Sequence, residues 1–517
     1  MTTTDFHSLL EGLDDFVEEQ MKHWKGVGAA VAVVHKNEVV WQKGYGYRDL
    51  EAKLGVTPST LFAIGSSTKA FTAATAAILV DQNQLNWDTP IVQYMPDFKM
   101  FDPVTTERLT IRDILCHRSG LPRHEMAWYN SPRSREELVH RLRYLEPNED
   151  FRNKWQYQNM MYMTAGYLVG HIKGTSWESV LEDSLLRPLG MNSSVLSVDL
   201  MQLQPEYALP YTEKDEQHIR IPYRNIDTIG PAGSINSNLI DMITWLQFQL
   251  NQGQHDGRAL ISMEEMQTMH SPHMPCDSSF RSEEVPISTY GLGWIIESYR
   301  GHRMIHHGGG IDGFTSQVAF LPDEQIGVVV LCNSNGSVVP YTVSYHIIDR
   351  LLELEPTDWS DRLTKLINGE DTQPEGESEA TEGTASVGSE HQETTDFEKT
   401  EVQPFDRPAS EYIGVYTHLG YGDILIESTA EDGLRATFNN LDMSMQYIGN
   451  ETFDVELVQQ GQEQKLPFTF TLDDQNHTHS LKIPLLMEPN TNEVIFIKTK
   501  TKANVNVNLN VDAQIEA

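Results

Sequence analysis

The segment Ile64-Gly65-Ser66-Ser67-Thr68-Lys69 runs directly into an alanine-rich stretch, AFTAATAAILVDQ. Ser66 is therefore expected at or near a helix N-terminus, with Lys69 one turn further on and facing the same way. That placement suits nucleophilic catalysis. Free N–H groups and the positive helix end can stabilise an oxyanion, and an amine whose pKa is lowered by desolvation can accept the serine proton. The plain alternative makes Ser66 an N-cap and Lys69 a solvated surface residue, and two letters alone do not decide between them. Three other patterns fail on context. Gly308-x-Gly310-x-x-Gly313 has the letters of a dinucleotide fingerprint but follows no βα turn and enters another strand. His124-Glu125 opens like a zinc-protease motif, yet Trp128 stands where the second histidine is needed, so no metal is expected. There is also no G-x-S-x-G elbow, which counts against an α/β-hydrolase.

The elements that must position Ser66 and Lys69 come from both ends of the first 360 or so residues. Residues 5 to 24 place Phe6, Leu9, Leu13, Phe16, Val17, Met21 and Trp24 at helical spacing, predicting an amphipathic helix with an acidic outer face. GAAVAVVHKNEVVWQKGYGY predicts a hairpin from Ala29 to Tyr47 turning at Lys36-Asn37. From Ser66 to about Leu250 the pattern is helices and long loops. Strand signals return at YGLGWIIESYR, HRMIHHGG, FTSQVAFLPD and IGVVVLCNS, before a last helix, TVSYHIIDRLLELE. Sheet residues thus enclose a helical middle, and a cleft is expected where the two lobes meet. From Gly369 to Gln403 the chain carries eleven acidic residues against Lys399 and almost no large apolar side chains, which predicts a disordered linker. About eight short alternating runs follow, predicting a small antiparallel β-barrel.

The Ser66–Lys69 stretch resembles the S-x-x-K element of penicillin-binding proteins and class C-like β-lactamases. Two further elements stand in the right order. Tyr157-Gln158-Asn159 looks like that family's Y-x-N, and His307-Gly308-Gly309 looks like the H-x-G that many members carry in place of K-T-G. The resemblance covers roughly the first 360 residues and includes the phrases LTIRDILCHRSGLP, PAGSINSNLIDM and YGLGW. Neither S-D-N nor K-T-G is present, so the class A β-lactamase pattern fails. The resemblance implies an α+β, two-lobe β-lactamase-like fold over residues 1–366, in which an antiparallel sheet flanked by helices meets an all-helical lobe. A linker over 367–403 and a lipocalin-like barrel over 404–517, like the appendage on some relatives, complete the expected organisation.

Roles follow from the same resemblance. Ser66 would attack a carbonyl, with Lys69 and Tyr157 sharing the movement of its proton. A tyrosine serves only if a neighbouring cation lowers its pKa, which Lys69 would supply. Asn159 would orient Lys69 and the substrate amide, and His307, Gly309 and Gly310 would line the opposite wall. The backbone N–H groups of Ser66 and Gly310 would form the oxyanion hole. The implied activity is a serine hydrolase working through an acyl-enzyme on small amides, peptides or esters, of D-aminopeptidase, carboxypeptidase or esterase type. β-Lactamase or penicillin-binding activity, and a non-catalytic acyl-ligand binder or sensor, remain as alternatives. No cofactor is expected.

Bulk composition narrows the partners. With 39% hydrophobic and 22% charged residues most of the chain can bury a core, and 517 residues call for more than one core. A formal net charge of -36 repels phosphate backbones, which argues against nucleic acid or an anionic membrane as partner. Homo-oligomerisation stays open. Cys116, Cys276 and Cys332 have no metal-binding or redox spacing. The start, MTTTDFHSLLEGLDDFVEEQ, has no basic region followed by an apolar one, and no apolar run is long enough to span a bilayer, so a cytoplasmic location is expected.

Overall fold

The computed structural model describes residues 6–277, 282–368, 405–429, 433–459, 462–486 and 488–500. The predicted acidic linker lies almost wholly outside them. The chain forms an α+β, β-lactamase-like structure followed by a closed eight-stranded barrel.

A nine-stranded antiparallel sheet is the frame. Its central strands are, in spatial order, Ile295–Tyr299, His302–Ile311, Phe314–Leu321, Ile326–Cys332, Gly28–His35 and Glu38–Asp49. The first and last parts of the chain meet where Gly28–His35 pairs with Ile326–Cys332, Val31 opposite Val330. The hairpin turns at Lys36 and Asn37, both left-handed with φ of 47° and 69°, a conformation that asparagine tolerates and that suits the twist of a two-residue hairpin.

Both faces of the Gly28–His35 strand are buried, which explains its continuous apolar run. Successive side chains alternate between faces. Ala29, Val31 and Val33 pack with Leu13, Val17 and Met21 of the N-terminal helix and with Val343 and Ile347 of the helix Val339–Leu351. Ala30, Ala32 and Val34 belong instead to the core shared with the helical lobe, where Leu239–Leu250 and Thr68–Asp81 lie. The N-terminal segment is not one continuous helix over 5–24. Helical turns at Phe6–Leu9 and Leu13–His23 are separated at Gly12, whose φ of 81° is incompatible with a right-handed helix.

The barrel strands run in sequence order from Gly414–His418 to Val494–Lys500, and those two pair to close the ring. Alternation is clean in Gly422–Ser428, where Ile424 and Ile426 point inward. The interior is filled by aromatic rings, among them Tyr412, Tyr416, Phe453, Phe470 and Phe496. Among the described residues no helix is long and apolar enough to cross a membrane.

Candidate active site

Gly65–Ser67 form a single 3-10 turn that leads into the helix Thr68–Asp81. Gly65 has φ +50°, and a Cβ there would lie 2.8 Å from the Gly310 nitrogen and 2.9 Å from its oxygen. Only glycine allows this approach, which sets the serine turn directly against the strand His302–Ile311. Gly309 is equally constrained, because its Cβ would sit 1.9 Å from the Ile64 carbonyl oxygen. Side chains fix the contact. The Ser67 hydroxyl lies 3.1 Å from the His307 carbonyl and 3.0 Å from Ser316 Oγ, and Ser316 Oγ donates to the Ile64 carbonyl at 2.8 Å.

Lys69 is fully buried and its Nζ has three oxygen neighbours: Ser66 Oγ at 3.0 Å, Asn159 Oδ1 at 2.8 Å and the Ala232 carbonyl at 2.9 Å. Burial pushes its pKa well below the ordinary lysine value, and the Arg123 cation pushes it further in the same direction, against Glu125. A neutral amine has two N–H groups and one lone pair. The Ala232 carbonyl can only accept, and the Asn159 amide is oriented by its Nδ2, which donates to Glu125 Oε1 at 3.2 Å, so Oδ1 also accepts. Those two acceptors use both N–H groups. In its neutral form the amine would then turn its lone pair to the Ser66 hydroxyl, the arrangement that removes a proton from a nucleophile.

Tyr157 stands over this pair, with Lys69 Nζ 4.6 Å from its ring centroid. Its hydroxyl is buried and completes no hydrogen bond of full geometry, although Ser66 is near enough to lower its pKa in part. The net shift is upward. Burial outweighs Ser66 and Arg123, so the phenol keeps its proton. The expectation that a cationic Lys69 lowers the Tyr157 pKa is therefore not met, because burial is the largest influence on the phenol and raises it.

His306 and His307 point to opposite faces of their strand. His306 turns away to Glu297 Oε2 at 3.0 Å and Gln317 Nε2 at 3.1 Å. His307 faces the Lys69 side, with its ring 6.3 Å from that of Tyr157. Its Nδ1 donates to the Gly308 carbonyl at 2.6 Å, leaving Nε2 to accept from the Tyr290 hydroxyl at 2.8 Å. Burial first and Lys69 second drive its pKa down to about 3, so the imidazole is neutral. Gly310, by contrast, is exposed at the strand's end.

Ser66, Lys69, Tyr157, Asn159, His307, Gly309 and Gly310 are thus brought together from three separated segments. Sequence reasoning did not single out Arg123, Glu125, His117 or Tyr290. Arg123 donates to Glu125 Oε1 from Nε at 3.0 Å and Nη2 at 2.9 Å, and its guanidinium lies 5.5 Å from the Tyr157 ring centroid. His117 accepts the Gln158 backbone N–H at Nδ1, 3.0 Å, and its ring lies 4.4 Å from that of Tyr157. Glu125 was noticed only in an incomplete metal motif, and among the described residues no group of histidine, cysteine or acidic side chains is placed to hold a metal.

An antiparallel sheet with a helical lobe, a buried Ser–Lys pair at a helix start, a tyrosine above it and a glycine-rich strand beside it make up a β-lactamase-like arrangement. The family model described as Beta-lactamase matches residues 13–352, and the chain belongs to that family. A second model, a domain of unknown function designated DUF3471, matches residues 398–498. The chain is 30% identical over 506 residues to an unguisins hydrolase, ungD′, of Aspergillus campestris (strain IBT 28561), covering 93% of this chain and 90% of that protein. It is 28% identical over 496 residues to the unguisins hydrolase ungD of Aspergillus violaceofuscus (strain CBS 115571), covering 88% and 84%. The protein flp of Staphylococcus aureus (strain NCTC 8325 / PS 47) is 25% identical over 344 residues, 64% of this chain and 65% of that one. Among solved structures, an octameric penicillin-binding protein homologue from Pyrococcus abyssi has the same fold, with TM-score 0.60 and 20% identity over 94% of this chain and 99% of the other.

Proposed function

We propose that this protein is a serine hydrolase that cleaves small amides, peptides or esters through an acyl-enzyme on Ser66. The observation that carries the reading is the fully buried Lys69, its pKa held well below the ordinary lysine value, with Nζ fixed on Asn159 Oδ1 and the Ala232 carbonyl and 3.0 Å from Ser66 Oγ. Ser66 Oγ attacks the substrate carbonyl carbon as its proton passes to Lys69 Nζ, and the new oxyanion is held by the backbone N–H groups of Ser66 and Gly310. Collapse of the tetrahedral intermediate expels the amine or alcohol, which takes a proton from Tyr157 or Lys69 as it leaves. Water then attacks the ester carbonyl under the same base, and Ser66 recovers its proton. Asn159 keeps Lys69 oriented throughout. The unguisins hydrolases among the relatives support hydrolysis as the reaction class.

His307 bears on the substrate. It is neutral and both ring nitrogens are already engaged, so it offers no cation to a substrate carboxylate beside the scissile bond. Amides and esters without such a carboxylate fit this wall better than β-lactams. The test is turnover of an activated ester, D-amino-acid amides and a β-lactam by wild type and Ser66→Ala. Ester and amide turnover that vanishes in the variant is expected, and equal rates for the two proteins would end the reading.

A further inference from the structure

The barrel docks on residues 123–148, the part of the helical lobe that supplies Arg123 and Glu125. Arg123 N–H donates to Glu488 Oε1 at 2.6 Å, and next to it Asn148 Nδ2 donates to the Pro489 carbonyl at 3.1 Å. His124 donates from Nε2 to the Glu146 carbonyl at 3.2 Å, so its Nδ1 accepts from the Tyr421 hydroxyl, 2.7 Å away. Asn439 Nδ2 donates to the Met126 carbonyl at 2.6 Å.

The backbone at His124 is itself unusual. Its φ of 47° and ψ of 40° are left-handed, a conformation unfavourable for a non-glycine residue, which persists only where its surroundings enforce it. That kink turns the side chains on either side of it, Arg123 and Glu125, toward each other. Glu125 Oε1 in turn holds Asn159 Nδ2, and Asn159 Oδ1 holds Lys69 Nζ. An unbroken series of contacts therefore runs from Glu488 in the barrel through Arg123, Glu125 and Asn159 to the catalytic amine.

We propose that the C-terminal barrel is a working part of the active site, with Glu488 and Tyr421 as positioning residues that hold the Arg123–Glu125 turn against Asn159 and Lys69. The assignment rests on the serine-hydrolase reading for its catalytic consequence but not for its geometry. Lys69 is faced by Ser66 and His117 from its own lobe, Tyr157 from the segment leading into the helix Asn159–Lys173, Tyr162 and Asn159 from that helix, His307 from the strand, and Arg123 with Glu125 from the kinked turn. Arg123 is held charged by Glu125 and, less strongly, by Glu488, against the cost of its burial. Removing the Glu488 charge leaves more of the Arg123 cation uncompensated, which disfavours the protonated form of Lys69.

The full chain labelled with [13Cε]lysine, with the Lys69 signal assigned by its loss in Lys69→Met, gives a direct titration of the amine. In Glu488→Gln the Lys69 titration is expected to move down, by up to about one pH unit, the order of one lost charge at an effective dielectric of about 20. The acid limb of the kcat/KM profile should move with it. Tyr421→Phe, which frees His124 Nδ1, should lower kcat/KM by about tenfold, the equivalent of one hydrogen bond. Lys69 titrations that superimpose in wild type, Glu488→Gln and Tyr421→Phe would overturn the proposal. If wild type proves no better than Ser66→Ala in turnover, the hydrolase reading fails, while the Lys69 titration still decides the role of the barrel.

Discussion

Replacing Lys69 by methionine keeps most of the apolar length of the side chain and removes only the amine, which makes the native charge of that amine measurable as stability. In the unfolded chain a lysine holds its proton up to about pH 10.4. In the native protein burial holds Lys69 well below its ordinary value, so folding expels a proton wherever the pH lies between the two. The unfolded state then binds more protons than the native state, and stability must rise with pH at about 1.4 kcal/mol per unit until the unfolded value is passed. For each pH unit between the two values wild type should therefore gain about 1.4 kcal/mol over Lys69→Met. The variant avoids the deprotonation cost but leaves Asn159 Oδ1 and the Ala232 carbonyl without their donor, at about 1–3 kcal/mol each. Those losses do not depend on pH, so the slope isolates the amine. Urea unfolding of both proteins at pH 8, 9 and 10 reads it. Parallel stability curves would mean that native Lys69 is an ammonium ion, and the derivation of a lone pair on Ser66 would be wrong.

Three further substitutions separate chemistry from structure. Tyr157→Phe removes a buried hydroxyl that completes no hydrogen bond, so melting should change little while kcat/KM for an activated ester falls by about 10²–10⁴-fold. Gly65→Ala drives a Cβ to 2.8 Å from the Gly310 nitrogen at a positive φ, and should cost about 1–3 kcal/mol in denaturant unfolding together with most of the turnover. Asp113, fully buried, accepts from Arg118 at 2.6 Å, from Arg152 at 2.7 Å and from Thr110, so Asp113→Asn should lose about 3 kcal/mol near neutral pH. Burial raises the Asp113 pKa, but these partners outweigh it and hold the value below the ordinary one, so the deficit should be complete above about pH 4 and close as the pH falls through the depressed native value.

How much of this was legible in the sequence depends on the distance over which each feature is specified. The Ser66–Lys69 relation is local, three positions along one helix, and the hairpin at Lys36-Asn37 and the alternation in Gly422–Ser428 are local too. The break at Gly12 is local yet was missed, because the apolar spacing continues across it and only the backbone conformation shows the interruption. The approach of Gly65 to Gly310 spans two lobes, and the letters G-G-G on a strand do not say which glycine meets what. Arg123 and Glu125 reach the site because His124 is left-handed, a conformation no pattern of residue types announces. The protonation states were the least legible. Burial lowers the Lys69 pKa and raises that of Tyr157, so a lowering by a neighbouring cation, assumed from residue type, gave the wrong direction for the phenol.

Which atom receives the acyl group is the most direct test of Ser66 as the nucleophile. Rapid mixing of the full chain with an activated ester, acid quench, proteolysis and mass spectrometry of the peptide containing Ile64-Gly65-Ser66-Ser67 reads it in one experiment. The acyl mass should appear on Ser66 within the first turnover, decay as substrate is exhausted, and be absent from Ser66→Ala. Product released at the wild-type rate with Ser66 unmodified, or the adduct found on Ser67 or another side chain, would contradict it.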